Sequence, residues 1–339
     1  MLEKLKARSA KIAAALKSTF LLWFRRKKPI PSGRWSRGEH GESAGRLTFA
    51  PLVSTHRAYA LYSPANDSAR RLPLLVMLHG CKQDPEAFAA GTRINQFADK
   101  QHFYVLYPEQ GRMANPYRCW NWFDPSSHRG HGEAAIIAGM VRNVVKSHAI
   151  DPTRIYVAGI SAGGALASVL ASCYADLFAA CAVHSGLMFQ AASSPAVALS
   201  VMRNGSQRDP EKAGEEAYEF SGGQVDSMPV MVIHGDADDT VHPVNGEQTI
   251  AQFLAMNHLH EPPRKIEKTN DGGYPYELHD YGPEAAPILR YVKVKGMGHA
   301  WSGGDSKYPF NDAKGPDASA MMMEFFALHR RAKDLVMSS

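Results

Sequence analysis

Ile155-Tyr156-Val157-Ala158-Gly159-Ile160-Ser161-Ala162-Gly163-Gly164 is the stretch on which the reading of this chain turns. The apolar, β-branched run from Ile155 to Val157 reads as a buried strand. It breaks at Gly159, and a helical stretch from Ala165 to Tyr174 follows the glycines. The pattern is G-x-S-x-G between a strand and a helix. A serine raised on a tight, strained turn needs neighbours without side chains, so that strand and helix can pass close to one another. The next backbone N–H, on Ala162, opens a helix and can face a developing oxyanion.

Working outward, apolar runs alternate with helical stretches. Strands are predicted at Gly45–Ala50, His56–Ser63, Leu74–Leu78 and Phe103–Tyr107, then at Ala179–Val183, Val230–Ile233 and Ile288–Val294. Helices are predicted at Phe88–Lys100, 133–148, Gly246–Met256 and Asp317–Ala332. The segment Ser193–Asp226 reads as a polar, irregular excursion. Residues 108–132 form a long loop carrying Tyr117, Trp120, Trp122 and Phe123, and loops of that length are usually functional. Strands alternating with helices predict an α/β fold with a mostly parallel central sheet and helices on both faces. No internal repeat is visible.

A serine nucleophile needs a base, and the base needs an acid to orient it. Behind an elbow of this kind the chain order is Ser, Asp or Glu, then His. Acid candidates stand in His234-Gly-Asp236-Ala-Asp238-Asp239, just past a predicted strand. The base candidate is His299 in Gly296-Met-Gly-His-Ala-Trp301, just past the last strand. Strand carboxyl ends converge at one edge of an open α/β sheet, so these distant residues can meet there. The residues alone leave Asp236, Asp238 and Asp239 open as the acid. His79 and His234 precede glycines at strand ends and read as structural rings. The turn His79-Gly80-Cys81 is placed to supply a second oxyanion donor, the Cys81 N–H, beside that of Ala162. Trp120 and Trp122, with Trp301 two residues past the base, are expected to wall the mouth and bind an apolar acyl chain or polymer. His128 and His131 have ligand-like spacing, but no supporting Cys, His or Asp set accompanies them, so no metal and no cofactor is expected.

The 339-residue chain is 45% apolar and 21% charged, the balance of a globular enzyme with ample core. Its net charge of +5 is unevenly spread. Residues 1–40 hold 11 Lys or Arg and two Glu, whereas the remainder holds 27 basic and 31 acidic residues. A mildly acidic body with a basic tail argues against nucleic-acid binding. Residues 1–28 read as a basic amphipathic helix: Leu5, Ile12, Leu16, Phe20 and Trp23 recur between lysines, and Arg25-Arg26-Lys27-Lys28 closes the segment. The uncharged run from Ser18 to Phe24 is too short for a signal peptide or a membrane span. Such a segment suits a granule or lipid-like surface, or a plain solvated tail. Residues 29–45 read as a linker. The expected organisation is therefore a basic segment and linker over 1–44 and one catalytic domain over 45–339.

Several motifs together resemble the polyhydroxybutyrate (PHB) depolymerase family of esterases. They are Leu78-His-Gly-Cys81, Cys119-Trp-Asn-Trp122, Asp151-Pro-Thr-Arg-Ile-Tyr-Val-Ala-Gly-Ile-Ser-Ala-Gly-Gly164 and Gly296-Met-Gly-His-Ala-Trp301. The resemblance covers about residues 45–330 and extends to feruloyl and acetylxylan esterases. It implies an α/β-hydrolase fold and hydrolysis of 3-hydroxybutyrate esters in polymer or oligomers. It implies a catalytic triad of Ser161, Asp238 and His299, with Cys81 and Ala162 forming the oxyanion hole. It also implies a bridge between Cys81 and Cys119, and a second between Cys173 and Cys181, in secreted members; in a reducing cytoplasm all four are expected as thiols. The missing signal peptide and polymer-binding module point to a cytoplasmic, granule-associated member, with secretion as the alternative. The competing functions are a feruloyl- or acetyl-type carbohydrate esterase, a general carboxylesterase, and a non-catalytic granule-surface protein.

Overall fold

The computed structural model describes residues 32–41, 56–65, 70–223 and 227–332. The basic segment 1–28 and the strand expected at 45–50 lie outside them. The strands of the main sheet are β1 (Arg34–Gly41), β2 (His56–Ser63), β3 (Leu72–Leu78), β4 (Tyr104–Pro108), β5 (Ile150–Ile160), β6 (Ala180–His184), β7 (Val230–Gly235), β8 (Arg264–Lys268), β9 (Tyr276–Tyr281) and β10 (Leu289–Val294). They stand in the order β1-β2-β4-β3-β5-β6-β7-β10-β9-β8. The six strands from β4 to β10 are parallel, and antiparallel pairs extend the sheet at both edges.

The central strands are apolar on both faces because both faces are covered. In β3, Leu74, Val76 and Leu78 enter one core and Leu75 and Met77 the other, and all five are fully buried. The helices are α1 (Pro85–Thr92), α2 (Ile94–Gln101), α3 (Gly132–Ser147), α4 (Ala162–Cys173), α5 (Pro195–Asn204), α6 (Pro210–Phe220), α7 (Val244–Met256) and α8 (Ala318–Ala327). Ile137 of α3, Leu166 of α4 and Phe253 of α7 share the first core. Phe88 of α1, Ile94 of α2 and Phe325 of α8 share the second. This is the expected α/β-hydrolase arrangement.

Three local expectations are corrected, and β8 adds a strand where none was expected. Residues 34–41 are not linker: β1 pairs with β2 along its whole length, from Arg34 opposite Ser63 to Gly41 opposite His56. Its side chains are largely exposed, so it lacks an apolar signature. The edge strand β8 hides in the same way behind Arg264-Lys-Ile-Glu-Lys268, which is mostly exposed. The helix expected over Phe88–Lys100 is two helices, divided at Arg93, whose φ is +59°. There the guanidinium reaches out of the helix line to the Gly303 carbonyl and to Asp317, a tertiary pull that periodicity does not record. The excursion at 193–226 contains α5 and α6. Each starts with a capping residue and a proline, Ser194-Pro195 and Asp209-Pro210, a start signal that the polar composition masked.

Candidate active site

Ser161 sits between β5 and α4 with φ 57° and ψ −124°, in the sparsely populated region that an elbow imposes on a residue with a side chain. The turn survives because its surroundings admit no Cβ. One on Gly163 would lie 2.2 Å from the Leu78 carbonyl oxygen, so the start of α4 runs directly against the end of β3. The Ser161 N–H donates to the carbonyl of His184 at the end of β6 (2.9 Å). The residue is 8% exposed.

The loops that carry the acid and base candidates follow β7 and β10, which are parallel neighbours. A Cβ on Gly235 would lie 2.1 Å from the Met297 carbonyl oxygen, so only glycine lets the two loops touch. Asp236 N–H donates to Val294 O (3.0 Å), and the Asp236 carboxylate accepts Gly296 N–H (2.6 Å). Asp236 thus ties the loops together from an exposed position. Asp238 is 2% exposed. Its Oδ1 accepts the N–H groups of Thr240 (3.0 Å) and Val241 (2.8 Å), and its Oδ2 meets His299 Nδ1 at 2.8 Å. Asp239 is exposed and only meets the Thr240 hydroxyl (3.3 Å). Burial pushes the Asp238 carboxyl up, but His299, Val241 N–H and His234 outweigh it and hold the group below its usual range. Nδ1–H of His299 donating to a carboxylate leaves Nε2 as the available lone pair. No hydrogen bond joins Ser161 Oγ to His299, a contact that in such sites often tightens only with substrate.

His79 and His234 are buried rings, as their place before glycines predicts. His79 Nδ1–H donates to Gly80 O (2.7 Å) and its Nε2 accepts Gln110 N–H (3.2 Å); burial pushes it down to about 4. His234 Nε2–H donates to Val241 O (2.8 Å), shaping the acid loop. Gly80 N–H donates to Gln83 Oε1 (2.8 Å) and Gln83 N–H returns to Gly80 O (3.3 Å), closing the turn that presents Cys81. A Cβ on Gly80 would be 3.4 Å from Ile160, so this turn lies beside the elbow.

The loop after β4 is stitched to the same turn. Cys81 and Cys119 form a disulfide, Lys82 N–H donates to Tyr117 O (2.8 Å), and Trp120 Nε1–H donates to His79 O (3.0 Å). Beneath it the carboxylate of Glu133 accepts from Arg57 (2.8 Å), Gln110 Nε2 (2.6 Å), Asn121 N (2.7 Å) and Asn121 Nδ2 (2.8 Å). Sequence reading did not single out Arg57, Gln110, Glu133 or His184. Glu133 reads as an ordinary acidic residue in a first helical turn, and only its burial marks it.

The esterase PHB depolymerase family profile matches residues 57–268. The chain belongs to this family. It is 34% identical over 229 residues to poly(3-hydroxyalkanoate) depolymerase C of Paucimonas lemoignei, a match that covers 67% of this chain and 54% of the relative. The chain therefore spans about half the length of that protein. It is 31% identical over 202 residues to feruloyl esterase B of Neurospora crassa, covering 57% of this chain and 68% of the relative. It is 30% identical over 250 residues to probable acetylxylan esterase A of Aspergillus clavatus, covering 70% and 78%. Among solved structures, acetyl xylan esterase from Aspergillus awamori superposes with a TM-score of 0.67 at 21% identity, over 86% of this chain and 99% of that one. That likeness shows the shared α/β-hydrolase fold.

In this member of the family, the expectation about the mouth needs correction. Trp120, Trp122 and Trp301 do not form an exposed wall: they are 0%, 4% and 1% exposed. Trp120 and Trp301 spend their N–H groups inside, on His79 O and Ser319 Oγ (3.2 Å), because a buried indole needs an acceptor. Met113 and Tyr117 are the strongly exposed large side chains of that loop. The second bridge that the resemblance implies for secreted members is not formed: Cys173 and Cys181 are free thiols donating to separate carbonyls. His128 Nε2 meets Trp122 O (2.8 Å) and His131 precedes α3. Among the described residues no group of three or more His, Cys, Asp and Glu is arranged to hold a metal, and no helix is long and apolar enough to cross a membrane.

Proposed function

We propose that this esterase-family chain is a serine esterase acting on short-chain polyhydroxyalkanoate, with poly(3-hydroxybutyrate) or its oligomers as substrate. The observation that carries the serine-esterase chemistry is the Asp238–His299 hydrogen bond (2.8 Å), formed at the sheet edge where Ser161 is held on a strained elbow, and the choice of polyester rests on the 34% identity to the depolymerase. His299 Nε2 takes the Ser161 proton as Oγ attacks the ester carbonyl. The N–H groups of Cys81 and Ala162 stabilise the tetrahedral oxyanion. The imidazolium, stabilised by Asp238, returns its proton to the leaving alcohol, and an acyl-serine remains. Water then attacks with the same proton traffic, releasing the acid and free Ser161.

Feruloyl and acetylxylan esterases stand at nearly the same identity as the depolymerase, so carbohydrate ester hydrolysis is the second reading. The deciding assay offers amorphous poly(3-hydroxybutyrate) granules, soluble 3-hydroxybutyrate oligomers, acetylated xylan and methyl ferulate side by side, with Ser161→Ala as blank. Hydroxybutyrate release from granules supports the first reading. Turnover of acetylated xylan or methyl ferulate alone replaces it with the second. A Ser161→Ala protein that keeps its activity removes the whole assignment.

Residues 1–28 are proposed to lie on the granule surface with the lysines outward, which places the protein in the cytoplasm. The Cys81–Cys119 disulfide favours the alternative of an exported protein, because such bonds persist in oxidising compartments. Alkylating thiols during cell lysis separates the two. Four modified cysteines fit the cytoplasm, and two fit export. Unchanged granule partitioning after deletion of residues 1–28 would reduce that segment to a tail.

A further inference from the structure

His184 ends β6 between the strands that carry the nucleophile and the acid. It stands opposite Ile160 of β5, the residue before Ser161, and opposite Ile233 of β7. Main chain and ring are used separately. The carbonyl accepts Ser161 N–H (2.9 Å), fixing the elbow. The ring, 1% exposed, stacks on Trp301 at 5.0 Å and 21°, and its Nε2 accepts the Ser302 N–H (3.0 Å). Ser302 is three residues past His299, so the ring holds the downstream foot of the base loop. The upstream foot is held by the acid loop, through Asp236 and Gly296.

Because Nε2 accepts, the ring proton sits on Nδ1, which faces Ser185 Oγ at 3.2 Å. Burial lowers the imidazole to about 3, and His234 and His299 push the same way against Asp238. The ring is therefore neutral at ordinary pH and keeps the lone pair that Ser302 needs. On its other side Trp301 is anchored through Ser319, whose hydroxyl donates to Thr92 O (2.7 Å). The base loop is thus clamped between α8 and His184.

We propose that His184 is a positioning residue for the reaction, fixing the distance between the nucleophile elbow and the loop that carries the base through its carbonyl and its ring nitrogen. This rests on Ser161 and His299 holding the roles given above. It predicts an effect on turnover and little on substrate affinity, because the ring is buried and does not reach substrate. A displacement of about 1 Å between reacting groups costs up to about 100-fold in rate.

The test uses the full chain and p-nitrophenyl butyrate. His184→Phe keeps a flat ring against Trp301 and removes the acceptor. His184→Gln can place an oxygen near the lost nitrogen and carries no charge. The expected result is a kcat about 10- to 100-fold lower for His184→Phe with KM changed less than about threefold, and recovery of most of that loss in His184→Gln. Undiminished kcat in folded His184→Phe overturns the proposal, as does a His184→Gln protein no better than His184→Phe. If His184→Phe fails to fold, the ring tautomer is read directly by nitrogen-15 NMR on the unaltered protein. An Nδ1-protonated ring supports the clamp and an Nε2-protonated ring overturns it. Ser161→Ala separates the levels of failure: if it stays active, the catalytic assignment and the proposal fall together. If it is dead while His184→Phe is unimpaired, only the proposal falls.

Discussion

Acidification should destabilise this protein well before its carboxylates titrate. His79 and His184 are each about 1% exposed and are lowered by burial to about 4 and about 3. In the unfolded chain a histidine titrates at about 6.5. The unfolded state therefore binds more protons below that value, and stability falls as pH falls. The contribution is intact above about 6.5 and lost on the way down to the folded values. Each ring costs up to about 1.4 kcal/mol per pH unit in that window. From pH 7.5 to 4.5 the two together remove about 5 kcal/mol, comparable with the whole stability of many domains. His128, His234 and His329 are lowered too and steepen the fall. Asp238, held low, contributes stability present above about 4 and lost only at lower pH, so it lies below this window. The assay is urea unfolding followed by circular dichroism at four pH values and constant ionic strength. His184→Gln, which cannot titrate, should recover about half of the two-ring loss. A flat unfolding free energy between pH 7.5 and 4.5, or a His184→Gln protein with the unaltered slope, would refute the neutral-ring account.

Three further outcomes are expected. Asp238→Asn should lower kcat by about 10³- to 10⁴-fold by mis-orienting His299, whereas Asp236→Asn, which only loosens the Gly296 contact, should stay within about threefold; steady-state kinetics with the reverse order would transfer the acid role. Glu133→Gln removes the carboxylate facing the buried Arg57 guanidinium and should cost about 3–5 kcal/mol in denaturant unfolding, and a loss below about 1 kcal/mol would contradict it. Reducing Cys81–Cys119, which spans 38 residues, should cost about 4 kcal/mol of stability, measured by unfolding with and without reductant.

Much of the site could be read along the chain because its chemistry is local. Ser161 declares itself through the glycines that an elbow requires, and His299 and the trio Asp236, Asp238 and Asp239 follow strands whose carboxyl ends must converge; the trio stays open along the chain, and the fold brings Asp238 to His299. The central strands declare themselves because burial on both faces demands continuous apolar runs, as in Leu74–Leu78. The edge strands β1 and β8 do not, since their exposed side chains carry no such demand.

What the sequence by itself determined is the α/β alternation, the elbow, and the Ser–Asp–His order, all consequences of spacing and of which residues tolerate a strained turn. What only the tertiary structure decided is which way side chains face and what they meet. It turned Trp120, Trp122 and Trp301 inward, left Cys173 and Cys181 on separate partners, divided the helix at Arg93, and made His184 the contact between Ser161 and Ser302. The physical reason is that burial and hydrogen-bond pairing are properties of neighbours far apart in the chain. His184 and Ser302 are 118 residues apart and meet only because β6 and the base loop share one sheet edge.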